Sequence, residues 1–189
     1  MLDILKNEKS EFYNLDWFKK ANNSAERLSL LDLNSIIKKT IYLDYRHVKE
    51  LLNLFSKTYG NLFHGIGLEL GAGVGFLSSM ISQIPDVEKI YSIEIVENYV
   101  KLLQPKIIKS FGVEEKVIPT LGSFENLKYF EDNSVDFIIE YDAFHHANDL
   151  KKVLNECNRV LKPNCKIICI DRIQANRISD EMINRKLNI

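Results

Sequence analysis

Apolar residues recur along the chain in two rhythms. Over residues 46–57, Val48, Leu51, Leu52 and Phe55 fall at i, i+3, i+4 and i+7, which places them on one face of a helix. Residues 1–44 contain no Gly or Pro and carry Phe12, Tyr13, Trp17 and Phe18, so they also read as helical. Asn23, with Glu26 three residues on, is positioned to cap a helix running through Leu28, Leu30 and Leu31. After Gly60 short apolar runs alternate with helix-period segments, the pattern of a parallel sheet covered by helices. The predicted strands are 66–70, 89–93, 116–120, 135–139 and 166–170, and the predicted helices between them are 75–84, 97–111 and 149–161. Val100, Leu103, Ile107 and Phe111 share one side of the second helix, and Leu150, Val153, Leu154 and Cys157 one side of the third. The pattern predicts an α/β fold: a mostly parallel sheet within one globular unit over 61–189, preceded by a helical extension over 1–60.

Length and composition narrow the class. A chain of 189 residues with 46% hydrophobic and 27% charged residues has the balance of a globular domain that buries a core without staples. Lys plus Arg number 25 and Asp plus Glu 26, so no bulk charge is offered to a nucleic-acid backbone or an anionic membrane. No run of about 18 apolar residues suggests a membrane span, and the start of the chain mixes both charge signs before an apolar stretch reaches signal-peptide length. Cys157, Cys165 and Cys169 form no CxxC pair and no even set, which fits a reducing, cytoplasmic location. Only 18 residues follow Asp171, with Ile178, Met182, Ile183 and Leu187 predicting one weak helix. The strand over 166–170 is therefore expected at a sheet edge that an oligomeric partner or a further segment covers.

The candidate chemistry starts at a turn. Five of the eight glycines fall within residues 65–75, where the chain reads Gly67-Leu68-Glu69-Leu70-Gly71-Ala72-Gly73-Val74-Gly75-Phe76-Leu77. A strand-to-helix turn of this kind lets a ligand lie against bare backbone and offers it amide donors at the helix start. Glu69 ends the first strand, where a carboxylate suits a cationic or hydrogen-bond-donating ligand and repels a diphosphate. Glu94 ends the second strand 23 residues after Gly71, about the separation at which an acid meets ribose hydroxyls in nucleotide-binding units. A dinucleotide fingerprint would place its third glycine where Phe76 stands.

The spacing Glu-x-Gly-x-Gly-x-Gly resembles motif I of the class I S-adenosylmethionine-dependent methyltransferases. The resemblance extends through Ile93-Glu94-Ile95, through the strand and loop from Asp136 to His146, and through Asn158-Arg159-Val160-Leu161-Lys162-Pro163-Asn164-Cys165 before the last strand. It implies a Rossmann-like fold that binds S-adenosylmethionine across the carboxyl edge of its sheet. Gly71, Ala72 and Gly73 would face the methionine part, with Glu69 near its amino group. Glu94 would take the ribose hydroxyls, Ile95 would pack on the adenine, and Glu140 would lie beneath the methionine moiety. Where the family commonly has an acid near the adenine amine, this chain has Gly122-Ser123-Phe124, so Ser123 and Phe124 would serve there. Asn164 and Cys165 replace the usual glycines of the last turn, and the family's final two strands find no counterpart in the sequence pattern.

Methyl transfer from a sulfonium needs alignment and exclusion of water, and a base only where the acceptor must lose a proton. Asp142, His145 and His146, after the fourth strand, are the candidate catalytic residues, with His146 preferred, and Tyr141 is placed to line the methyl pocket. No metal site is expected, because adjacent imidazoles diverge and no third ligand stands at helical spacing. His47 and His64 have no motif context. The expected activity is methylation of a small-molecule acceptor. Two other readings fit less well. One is a catalytically silent cofactor-binding or scaffold subunit; the other, a nicotinamide-dependent oxidoreductase, is disfavoured by Phe76 and Glu69.

Overall fold

The computed structural model of the chain describes residues 16–40 and 45–171. Three helices come first: α1 (Asp16–Ser29), α2 (Leu33–Thr40) and α3 (Tyr45–Tyr59). Because α1 is already helical at Asp16, Asn23 sits in mid-helix and does not cap it, contrary to expectation. No Gly or Pro interrupts the helix ahead of Asn23, and the break falls at Leu30–Asp32 instead. There Asp32 takes the cap role, accepting the Ser35 N–H at 3.0 Å. Tyr13 and the helix expected near 178–187 lie outside the described residues.

The alternating region follows as β1 (Gly65–Leu70), α4 (Phe76–Ile81), β2 (Val87–Glu94), a wide π turn (Tyr99–Leu103) running into α5 (Gln104–Phe111), and β3 (Val117–Leu121). It continues as β4 (Val135–Tyr141), a 3-10 turn (Phe144–His146), α6 (Leu150–Val160) and β5 (Leu161–Ile170). The strands lie in the order β3-β2-β1-β4-β5, and every pairing is parallel. The expected Rossmann-like α/β architecture is therefore present. Pro105 has no N–H to return to the preceding turn, which accounts for the helix widening to the π form just before it.

Parallel strands need cover on both faces, and β4 is buried at six of its seven residues. On one face Leu77, Met80 and Ile81 of α4, Ile108 of α5 and Val48 and Leu52 of α3 pack against Ile90, Phe137 and Ile139. On the other, Val153, Cys157 and Val160 of α6 join Leu127 against Leu68, Leu70 and Ile138. α1 and α2 dock through Ala25 and Ile36 onto Leu103 and Ile107. The Asn22 side-chain oxygen accepts the Asn98 N–H at 3.0 Å, and the Asn98 amide donates to the Asn22 carbonyl at 3.1 Å, which ties α1 to the segment entering the π turn.

β5 starts earlier than its apolar run. Val135 pairs with Leu161 and Phe137 with Lys166, and between them the chain bulges through Asn164 at φ 68°. Asn tolerates this left-handed state, so the turn survives without the glycine. β5 is the sheet edge among the described residues, and its Cys169 is exposed rather than buried. The chain lays β1, β2 and β3 outward on one side and returns to the other side of β1 with β4. A crevice at the carboxyl ends of β1 and β4 is the consequence.

Candidate functional site

The first wall of that crevice is the glycine turn. The Ile93 carbonyl accepts from both Gly71 N–H, at 2.9 Å, and Ala72 N–H, at 2.8 Å, drawing the turn over the end of β2. Gly71 has φ 75°, and a Cβ there would lie 2.5 Å from the Ala143 Cβ, so the turns after β1 and β4 meet only because this position is bare. A Cβ on Gly73, at φ 52°, would stand in open space. The Gly73 carbonyl accepts from the Gln104 side chain at 3.0 Å, which fixes the turn to α5.

Three buried acids end the central strands. The Glu94 carboxylate receives Gly73 N–H at 2.9 Å on one oxygen and Val96 N–H at 2.8 Å on the other. Burial raises its pKa against those two bonds. Glu69 Oε2 accepts Ser78 N–H, in the first turn of α4, at 2.7 Å, and the Ser78 hydroxyl donates to the same oxygen. Burial and the nearby Glu94 charge push Glu69 up to about 7 despite the Ser78 bonds. Glu140 is fully buried: Oε2 accepts the Ala143 and Phe144 N–H groups at 3.1 and 3.2 Å, and Oε1 accepts the Cys169 thiol at 2.6 Å.

Two cavities open beside these groups and share Gly71 and Asp142. The larger, about 340 Å³, is walled by Glu94, Ile95, Ser123, Phe124 and His146, with Trp17 and Ala21 of α1 and Tyr99 of the π turn opposite. The smaller, about 190 Å³, is walled by Glu69, Ala72, Gly73 and Tyr141, with Thr40 at the end of α2. The structure thus brings together eleven of the thirteen residues singled out in the sequence. The other two stand aside. Glu140 lines neither cavity, because its carboxylate is turned under the 143–144 backbone and supports the loop instead of facing a ligand. His145 also lines neither.

Ala21, Thr40, Tyr99 and Gln104 were not legible as site residues. Helix periodicity assigns the first three to a face without saying what that face meets, and Pro105 was the available hint that the helix carrying Tyr99 is irregular. The expectation of no metal overlooked Asp171. Among the described residues, Asp142, His145 and Asp171 bring potential ligand atoms within 4.8 Å of one another. The His145 Nδ1 lies 2.8 Å from Asp171 Oδ1 and 3.8 Å from Asp142 Oδ1.

No helix among the described residues is long and apolar enough to cross a membrane. The family model described as "Methyltransferase domain" matches residues 68–169, more than half of the chain. The glycine/sarcosine/dimethylglycine N-methyltransferase of Actinopolyspora halophila is 32% identical over 110 residues, which cover 58% of this chain and 19% of that protein. The crystal structure of a candidate sarcosine dimethylglycine methyltransferase from Galdieria sulphuraria superposes with a TM-score of 0.66 at 31% identity, over 75% of this chain and 53% of that one. The chain spans about half or less of the length of these two relatives. A candidate S-adenosylmethionine-dependent methyltransferase structure from Methanococcus maripaludis shares the fold over 97% of this chain and 75% of its own, with a TM-score of 0.63 at 18% identity.

Proposed function

Because the chain belongs to the class I methyltransferase family, we propose that it binds S-adenosylmethionine across the two cavities and transfers the methyl group to a small-molecule acceptor. The observation that carries this reading is Glu94, a buried carboxylate on the wall of the larger cavity, bonded to the same glycine turn that walls the smaller one. Such an acid suits vicinal hydroxyls, and the side-chain-free Gly71–Gly73 backbone suits a ligand passing from one cavity to the other. Ile95 and Phe124 offer the larger cavity an apolar wall for an adenine, with the Ser123 hydroxyl beside it. Glu69, Ala72 and Gly73 would hold the amino-acid half, where a carboxylate answers an ammonium group.

The donor, once bound, supplies an activated methyl for in-line displacement. The chain's part is then alignment and water exclusion, with His146 and Asp142 on the cavity wall to receive an acceptor proton. Within the extension over 1–60, α1 and α2 act as a lid through Trp17, Ala21 and Thr40, and the unit over 61–189 holds the cofactor through its described residues. The name of the Actinopolyspora halophila relative supports amines such as glycine and its N-methyl derivatives as first acceptors to test.

Calorimetry with S-adenosylhomocysteine tests the cofactor site. Glu94→Ala is expected to weaken binding about 10- to 100-fold with an unchanged fold, the effect of losing charge-assisted hydrogen bonds. Unaltered affinity would remove the ribose assignment. Radiolabelled methyl transfer over an amine panel tests the activity. Binding without turnover on any acceptor would favour a cofactor-binding subunit, and NADH binding without S-adenosylhomocysteine binding an oxidoreductase.

A further inference from the structure

The segment from Asp142 to His146 is fastened from below by β5. Asp142 N–H donates to the Ile170 carbonyl at 2.8 Å, and the Cys169 thiol meets the Glu140 carboxylate that holds the Ala143 and Phe144 amides. One residue further along β5, the Asp171 carboxylate takes two groups of a single residue. Its Oδ2 accepts His145 N–H at 2.9 Å, and its Oδ1 lies 2.8 Å from His145 Nδ1. A carboxylate can only accept, so this contact puts the proton on Nδ1. The His145 ring in turn lies against the His146 ring, with centroids 4.0 Å apart and planes at 44°. His146, unlike His145, walls the larger cavity.

We propose that Asp171 is a positioning residue: by locking His145 in its Nδ1–H form it provides a fixed backing for the His146 imidazole that faces the cavity. Three links make the relay, and each restricts one freedom. The paired carboxylate bonds fix the His145 backbone and ring together, the tautomer sets which edge His145 offers, and ring contact limits the rotamers of His146. That His146 acts in catalysis rests on the methyltransferase reading; the lock itself does not.

The experiment separates the two. In ¹⁵N spectra of the whole chain, His145 should show the Nδ1–H tautomer. Asp171→Ala should shift it towards Nε2–H and move the His146 signals, leaving His64 in place. Asp171→Asn keeps one acceptor and should fall between. With an acceptor from the amine panel, Asp171→Ala should lower kcat about tenfold or more, while S-adenosylhomocysteine affinity stays within about twofold. His145→Phe keeps a ring against His146 and the backbone bond to Asp171 but loses the Nδ1–H half of the clasp, and should lie between the wild type and Asp171→Ala in kcat. Unmoved His146 signals in Asp171→Ala would overturn the proposal. So would an Asp171-dependent Mn²⁺ complex that broadens His145, since the cluster would then be a cation site. Failure of the wild type to bind S-adenosylhomocysteine would sink the methyltransferase reading, yet the tautomer would still report on the lock.

Discussion

The two ends of the sheet treat their carboxylates in opposite ways. At the carboxyl end, Glu69, Glu94 and Glu140 are buried, and their described hydrogen bonds come from neutral donors: backbone amides, a serine hydroxyl and a thiol. At the amino end, Asp136 of β4 accepts Ile66 N–H at 2.9 Å and Lys162 Nζ at 2.7 Å. Burial acts to raise the Asp136 pKa, but these bonds and the Lys162 charge outweigh it and leave it below the usual value. Glu69 and Glu94 are shifted the other way. A lysine settles the Asp136 charge within the fold, whereas burial works against charge on Glu69 and Glu94, a cost that a ligand bringing donors or positive charge would relieve.

Substitutions can break this contrast at either end. The largest expected effect is Gly71→Val. It combines a β-branched residue at φ 75° with a Cβ placed 2.5 Å from Ala143, and should cost about 3 kcal/mol in urea unfolding as well as closing the passage between the cavities. Glu69→Gln should come next, through pH. The folded pKa of about 7 stands above the ordinary glutamate value of 4.5, so the folded chain holds more protons and stability falls as pH rises through that window. Glu69→Gln should flatten this slope, which for the wild type is worth on the order of 1–3 kcal/mol between pH 5 and 7.5, read from urea midpoints. Equal slopes would mean that Glu69 is not held as an uncomfortable acid.

Lys162→Met should have the smallest effect, under about 1 kcal/mol, because the lysine side chain is 42% exposed. Asp136 is also the sign opposite of Glu69. Its depressed pKa contributes stability that is fully present above 3.8 and lost as pH falls through the folded value. The methionine variant should therefore lose stability above pH 3.8 and fall less steeply in acid, while keeping the Glu69 slope.

The sequence made the sheet legible because its strands are buried on both faces, so continuous apolar runs such as Phe137-Ile138-Ile139 mark them with little ambiguity. It made the wall of the crevice legible because Gly71, Gly73, Glu69 and Glu94 are spaced by backbone geometry along one strand-turn-helix-strand unit. What stayed hidden depends on side-chain direction or on contacts between distant segments. Glu140 ends β4 as Glu94 ends β2, yet its carboxylate folds under its own loop, and no spacing distinguishes the two. Asp171 lies 26 residues from His145, and only the parallel pairing of β5 with β4 brings them together. The helix running through Asn23 was missed because the local Asn23–Glu26 cap signal is weaker than an uninterrupted helix anchored at Asn98.

Trp17 gives the molecule an optical handle. It is the chain's single tryptophan, 49% exposed, and stands on the rim of the larger cavity but not of the smaller. Its emission should move to shorter wavelength when a nucleoside displaces solvent from the indole, and should ignore a free amino acid lodged beside Glu69. Titrating the unlabelled protein with adenosine, methionine and S-adenosylhomocysteine in turn would thus resolve which half of a ligand is read by fluorescence.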